Sequence, residues 1–126
     1  MGIKKTVVLE GIKKGQFLSW FATTQAANTI TVKLYDNKKV YIEASKNTVN
    51  MNPPMAQGCA VAEGEGLTLE ISSSGNCELR LRHFMADLTT DTGKSVGKTF
   101  TLVGEDYVDN DFNDICISVS AWNKTR

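Results

Sequence analysis

The amino-acid sequence predicts an all-β protein: an antiparallel β-sandwich of about nine strands with Greek-key-like connections, a barrel being the alternative. Three observations predict it. Apolar and polar residues alternate with period two along most of the chain. Clusters of Gly, Asn, Asp and Ser separate the alternating runs. No segment carries a sustained apolar stripe at helical spacing.

The expected strands run in this order. Residues 4–10 centre on Thr6-Val7-Val8-Leu9 and stop at Gly11. Residues 16–22 come after the Lys14-Gly15 turn. Residues 29–36 and 39–44 flank the turn signal Asp36-Asn37, as a hairpin would. Residues 46–58 carry Pro53 and Pro54 and read as a crossover loop between sheets. Residues 67–72 lie between Gly64-Glu65-Gly66 and Ser73-Ser74-Gly75-Asn76. Residues 77–84 show the cleanest alternation, with Cys77, Leu79 and Leu81 opposed to Glu78, Arg80 and Arg82. Residues 97–103 come after Asp91-Thr92-Gly93, and residues 113–122 form the last strand.

A chain of 126 residues fits one domain, residues 1–126, large enough for a single core. Fourteen Lys+Arg balance 14 Asp+Glu, which argues against nucleic-acid binding. No apolar stretch reaches transmembrane length, so membrane insertion is not expected. The run at residues 6–9 is too short for a signal-peptide core. Synthesis in the cytoplasm is expected, with release or cell-surface association left open. Cys59, Cys77 and Cys116 are odd in number and lack CxxC spacing. They read as small buried hydrophobes in a protein made under reducing conditions.

Charge is concentrated in one place. Glu105, Asp106, Asp109, Asp111 and Asp114 put five of the 14 acids within ten residues, interleaved with Asn110 and Asn113. Like charges about 4 Å apart cost about 1 kcal/mol in water and several times more near a protein surface. Held in one folded loop, these groups need a cation or must splay into solvent. Calcium takes six to eight oxygen ligands, and alternate Asp109, Asp111 and Asn113 aim side chains at one point. The pattern is not an EF-hand: counted from Asp109, Asp114 and Ser120 replace the required Gly and Glu, and a strand comes next. Magnesium fits less well, because it retains water. A solvated acidic turn held by Asx hydrogen bonds is the bland alternative.

Phe100-Thr101-Leu102-Val103-Gly104, the acidic loop and the strand ending at Trp122 stand in an order that resembles the calcium-dependent bacterial lectins of the fucose-binding lectin II family. Leu34-Tyr35-Asp36-Asn37 and the 66–75 segment match in order. The resemblance implies two adjacent calcium ions. Glu105, Asp109, Asp111 and Asp114 would hold one, and Asp111, Asn113 and Asp114 the other. Two neighbouring hydroxyls of fucose or mannose would complete both shells, and Asp106 would accept a hydrogen bond from a further hydroxyl. Asp109, Asp111 and Asp114 would also meet the sugar. The family's N-terminal Asn-Ser-Ser-Gly loop falls on Thr23-Thr24-Gln25-Ala26, making Thr23 a metal ligand and Thr24 and Gln25 sugar contacts. Gln25 would change the preferred sugar, and Tyr107 with Val108 would shape the rim. The family ends at a Gly whose carboxylate ligates calcium in a neighbouring subunit, whereas Asn123-Lys124-Thr125-Arg126 is one residue longer and basic.

The function expected is therefore a calcium-dependent, non-enzymatic lectin, with a homodimer or homotetramer providing multivalency. A calcium-stabilised structural or adhesion module without sugar binding is the alternative. A glycosidase is disfavoured, because no separate carboxyl pair stands out and metal keeps the loop acids ionised. His83 reads as a partly buried strand residue, since no His or Cys partner lies at ligand spacing. Trp20 and Trp122 are either a sugar-stacking platform or packing residues, and Arg80 and Arg82 read as a solvated strand face.

Overall fold

Two antiparallel sheets account for the alternation. The computed structural model describes residues 3–47, 49–107 and 110–124. Among them run β1 (Ile3–Val8), β2 (Phe17–Thr24), β3 (Ile30–Tyr35), β4 (Val40–Lys46), β5 (Ala56–Val61), β6 (Thr68–Ser73), β7 (Arg80–Thr89), β8 (Ser95–Glu105) and β9 (Ile115–Trp122). One sheet has the order β1-β6-β3-β4 and the other β5-β2-β9-β8-β7. The fold is a β-sandwich, with no helix among the described residues and none long and apolar enough to cross a membrane.

Period-two alternation sends every second residue into the space between the sheets. Ile30, Val32 and Leu34 of β3 and Leu69 and Ile71 of β6 are fully buried. Facing them from the other sheet are Leu18, Phe100, Leu102, Ile115, Ile117 and Val119, each at most 1% exposed. On β9 the opposite parity reaches Trp122, which is 39% exposed. Trp20 points the other way, half-buried against the core, its ring edge-on to Tyr41 at 6.2 Å. The two tryptophans thus lie on opposite faces and form no shared platform.

Strand β5 was not expected: residues 56–58 close the anticipated crossover loop. Its signal is weak because it is an edge strand with little burial and a central Gly58. A Cβ at Gly58 would lie 3.0 Å from the Trp20 ring, so the indole covers the bare backbone. Strand β7 begins at Arg80, leaving Cys77–Leu79 outside it, and forms the other edge of its sheet. Most of β7 is exposed, including His83, Phe84 and Met85, because the facing sheet has one strand fewer. His83 is therefore exposed rather than partly buried, stacked on Phe100 at 5.5 Å. All three cysteines are free, but their burial differs from expectation: Cys59 is exposed, and Cys77 and Cys116 are half-buried.

The position of β9 is what anchors the acidic loop. It lies between β2 and β8, so hydrogen bonds fix it on both sides. Strand β8 extends through Glu105, and Gly104 pairs with Ile115. The loop thus leaves one interior strand and enters another, which holds both of its ends rigidly.

Candidate metal and ligand site

The loop is built inward around a buried carboxylate. Glu105, the last residue of β8, is fully buried. Its Oε1 accepts a hydrogen bond from the Phe112 N–H at 2.9 Å and its Oε2 one from the Tyr107 N–H at 3.2 Å. Such bonds to a charged acceptor contribute about 1.5–3 kcal/mol each and offset desolvation of the carboxylate. Asn110 and Phe112 sit in the left-handed region, at φ 61° and 50°. A phenylalanine there is strained by about 1–2 kcal/mol. The bond to Glu105 and the Arg80 guanidinium, 5.2 Å from the Phe112 ring centre, oppose that strain. Arg80 also donates to the Tyr107 carbonyl at 3.2 Å, so it braces the loop rather than lying on a solvated face.

At the other end, the Asp114 N–H donates to the Gly104 carbonyl at 3.1 Å and its carbonyl accepts from the Gln25 N–H at 3.2 Å. Its side-chain Oδ2 accepts from the Asp106 N–H at 2.9 Å. Burial pushes the Asp114 carboxyl above its ordinary range. The adjacent Asp106 carboxylate pushes the same way, against the pull of the Asp106 N–H.

These constraints bring Glu105, Asp111 and Asp114 together, with one oxygen of each within 4.8 Å of the others. Calcium ligands at 2.3–2.6 Å lie up to about 4.6–5.2 Å apart across the ion, so the three oxygens fit one coordination sphere. All are hard, charged oxygen donors, which suits calcium and not a softer metal. Glu105 and Asp114 are buried while Asp111 is exposed, so one side of the cluster faces solvent.

The other expected site residues take varied places. Asn113 is half-buried in the loop, and Tyr107 stands at the rim, 59% exposed. Asp109, expected on both the metal and the sugar, lies outside the described residues, as does Val108. Thr23 is 8% exposed at the end of β2, opposite Cys116 on β9, one strand away from the start of the final loop. Thr24 is fully buried opposite Ile115, and its hydroxyl has no hydrogen-bond partner among the described residues. Gln25 is half-buried beside Asp114. Asp106 is only 2% exposed, with Oδ2 taken by the Asn28 amide at 3.0 Å and the Ser73 hydroxyl at 2.8 Å. Sequence reasoning missed Asn28 and Ser73, because residues 28, 73 and 106 meet only once the two sheets pack.

The model of the family described as fucose-binding lectin II (PA-IIL) matches residues 11–123. No curated protein sequence matches the chain. Among solved structures, the C-terminal domain of a Burkholderia cenocepacia lectin is similar at 18% identity and TM-score 0.68, over 95% of this chain and 97% of that one. A high-affinity mannose-binding lectin of Ralstonia solanacearum is similar at 16% identity and TM-score 0.64, over 91% and 93%. A Chromobacterium violaceum lectin solved with alpha-methyl-fucoside is similar at 14% identity and TM-score 0.63, over the same shares. At these identities the three structures establish a shared fold.

Proposed function

Because the chain belongs to the fucose-binding lectin II (PA-IIL) family, we propose that it binds fucose- and mannose-type sugars through calcium held in the 105–114 loop. The observation that carries this reading is the convergence of Glu105, Asp111 and Asp114 oxygens within 4.8 Å, on a loop open to solvent at Asp111. Glu105, Asp109, Asp111 and Asp114 hold one ion, and Asp111, Asn113 and Asp114 a second. Bound calcium offers free coordination positions to neutral hydroxyls, which suits a ligand without charge.

The chain's own residues do the rest. Asp109, Asp111 and Asp114 fix where a hydroxyl pair sits, so sugar stereochemistry decides fit. Gln25 and Tyr107 form the rim and set preference among sugars. Thr23 serves the metal and Asp106 and Thr24 the sugar, with their burial limiting how far each reaches. Weak single sites gain strength when copies engage one glycan surface together, so the working form is a homodimer or homotetramer.

The test is retention on immobilised fucose or mannose. Calcium supports retention, a chelator abolishes it and added calcium restores it. Asp111→Ala removes it, because Asp111 belongs to both ion sets. Agglutination of glycan-bearing cells by Asp111→Ala would overturn the site assignment. The burial of Asp106 and Thr24 favours a second reading, a calcium-stabilised module without sugar binding. In that case calcium raises the melting temperature of a protein that neither sugar column retains.

A further inference from the structure

The acidic loop is tied to the opposite sheet through one buried side chain. Asp106 comes directly after β8, yet its Oδ2 is held by Asn28 from the β2–β3 connection and Ser73 from the end of β6. Ser73 is 2% exposed, and its Oγ in turn accepts the Gly75 N–H at 3.1 Å. The Asn28 amide lies over Gly75 so closely that a Cβ there would overlap its Nδ2. The neighbouring backbone is locked too: the Thr29 N–H donates to Ser74 Oγ at 2.9 Å and the Ser74 N–H to the Thr29 carbonyl at 3.0 Å. Two neutral donors, each fixed by its own surroundings, therefore determine where residue 106 sits. The backbone N–H of that residue then points at Asp114 Oδ2, 2.9 Å away.

We propose that Asn28 and Ser73 are positioning residues for the metal cluster, acting through Asp106 on the Asp114 carboxylate. The inference rests on the proposed calcium site but needs no sugar. A ligating carboxylate free to rotate must be ordered when the ion arrives, and one already oriented need not be. Hydrogen-bond partners of metal ligands commonly change affinity by about 10–100-fold when removed. Here the partner of the ligand is the Asp106 main-chain N–H, which no side-chain truncation deletes, so its placement depends on the anchored Asp106 side chain. Gly75 belongs to the same device, because any larger residue displaces the Asn28 amide.

The experiment is calcium titration by calorimetry of the wild-type chain and of Asn28→Ala, Ser73→Ala and Gly75→Ala, with Asn76→Ala as the neighbouring control. Melting temperatures are taken in chelator alongside. The three variants are expected to bind calcium about tenfold more weakly. Asn76→Ala is expected to stay within about twofold of wild type, since it leaves both donors to Asp106 in place. At a fixed calcium concentration the rise in melting temperature should be smaller than in wild type and should recover as calcium is raised, whereas a purely structural lesion lowers the melting temperature in chelator and leaves the rise unchanged. Calcium affinity unchanged from wild type in the folded variants, whatever their stability in chelator, overturns the inference. A wild-type chain that takes up no calcium overturns the metal reading itself, and wild-type binding with silent variants overturns only the positioning role. Three variants on separate positions keep the test decisive if one fails to fold.

Discussion

Substituting Glu105 by Gln tests the metal centre from its buried side. In the native loop both carboxylate oxygens accept, one from Phe112 N–H and one from Tyr107 N–H. Glutamine keeps one acceptor and turns an NH2 group against the other N–H, with no solvent to rescue it because the residue is fully buried. Losing one charge-assisted bond costs about 2 kcal/mol. Unfolding entropy of about 2.1 cal/mol/K per residue gives a chain of 126 residues about 0.26 kcal/mol/K. The variant should therefore melt about 8 °C below wild type in chelator. Calcium adds a separate term. At about a hundred times its dissociation constant, a ligand that binds only the folded state stabilises by about 2.7 kcal/mol, or about 10 °C here. If the missing charge weakens binding about tenfold, the same calcium concentration stabilises Glu105→Gln by about 1.4 kcal/mol, or about 5 °C. Differential scanning calorimetry with chelator and with calcium reads both effects. Equal wild-type melting temperatures in the two conditions would refute the metal reading. An undiminished calcium increment in the variant would remove Glu105 from the coordination set.

Two further outcomes concern the frame that holds the site. Burial and the bond to Asp36 push the Tyr41 phenol up to about 12, from an ordinary 10.0. Burial pushes the Asp36 carboxyl up, but the Tyr41 hydroxyl and the N–H groups of Lys38, Lys39 and Gly64 outweigh it and hold it low. A raised phenol stabilises the fold fully below pH 10, and the contribution fades as pH rises towards 12. With partial solvent screening it is worth about 1 kcal/mol. Urea unfolding should show wild type more stable than Tyr41→Phe near neutral pH, with the gap narrowing above pH 10. A gap that stays constant to pH 12 argues against the coupling. At Gly97 a Cβ would run into the Ala121 carbonyl oxygen on β9, a backbone atom that cannot yield without moving the strand. Gly97→Ala should cost about 1–3 kcal/mol by denaturant unfolding, and an unchanged midpoint would show that β8 and β9 separate more readily than their register suggests.

Local pattern is the part of this molecule that could be read directly from its residues. Alternation at Ile30, Val32 and Leu34, and at Ile115, Ile117 and Val119, specified strands with one buried face, because a strand presents every second side chain to the same side. The density of acids before the last strand marked a loop whose charges need a cation or must splay into solvent, since ten consecutive residues keep five carboxylates near one another. Edge strands were less legible. Strand β5, with Gly58 and little burial, has no apolar alternation to display, and β7 lies exposed for want of a facing strand. It took the stacking of the two sheets to turn Asp106 inward to Asn28 and Ser73, and the pairing of β7 beside β8 to set Arg80 against Phe112. Those contacts join residues up to 78 positions apart. They depend on which strands neighbour one another and how the sheets pack, a global outcome of core formation that no short stretch of sequence carries.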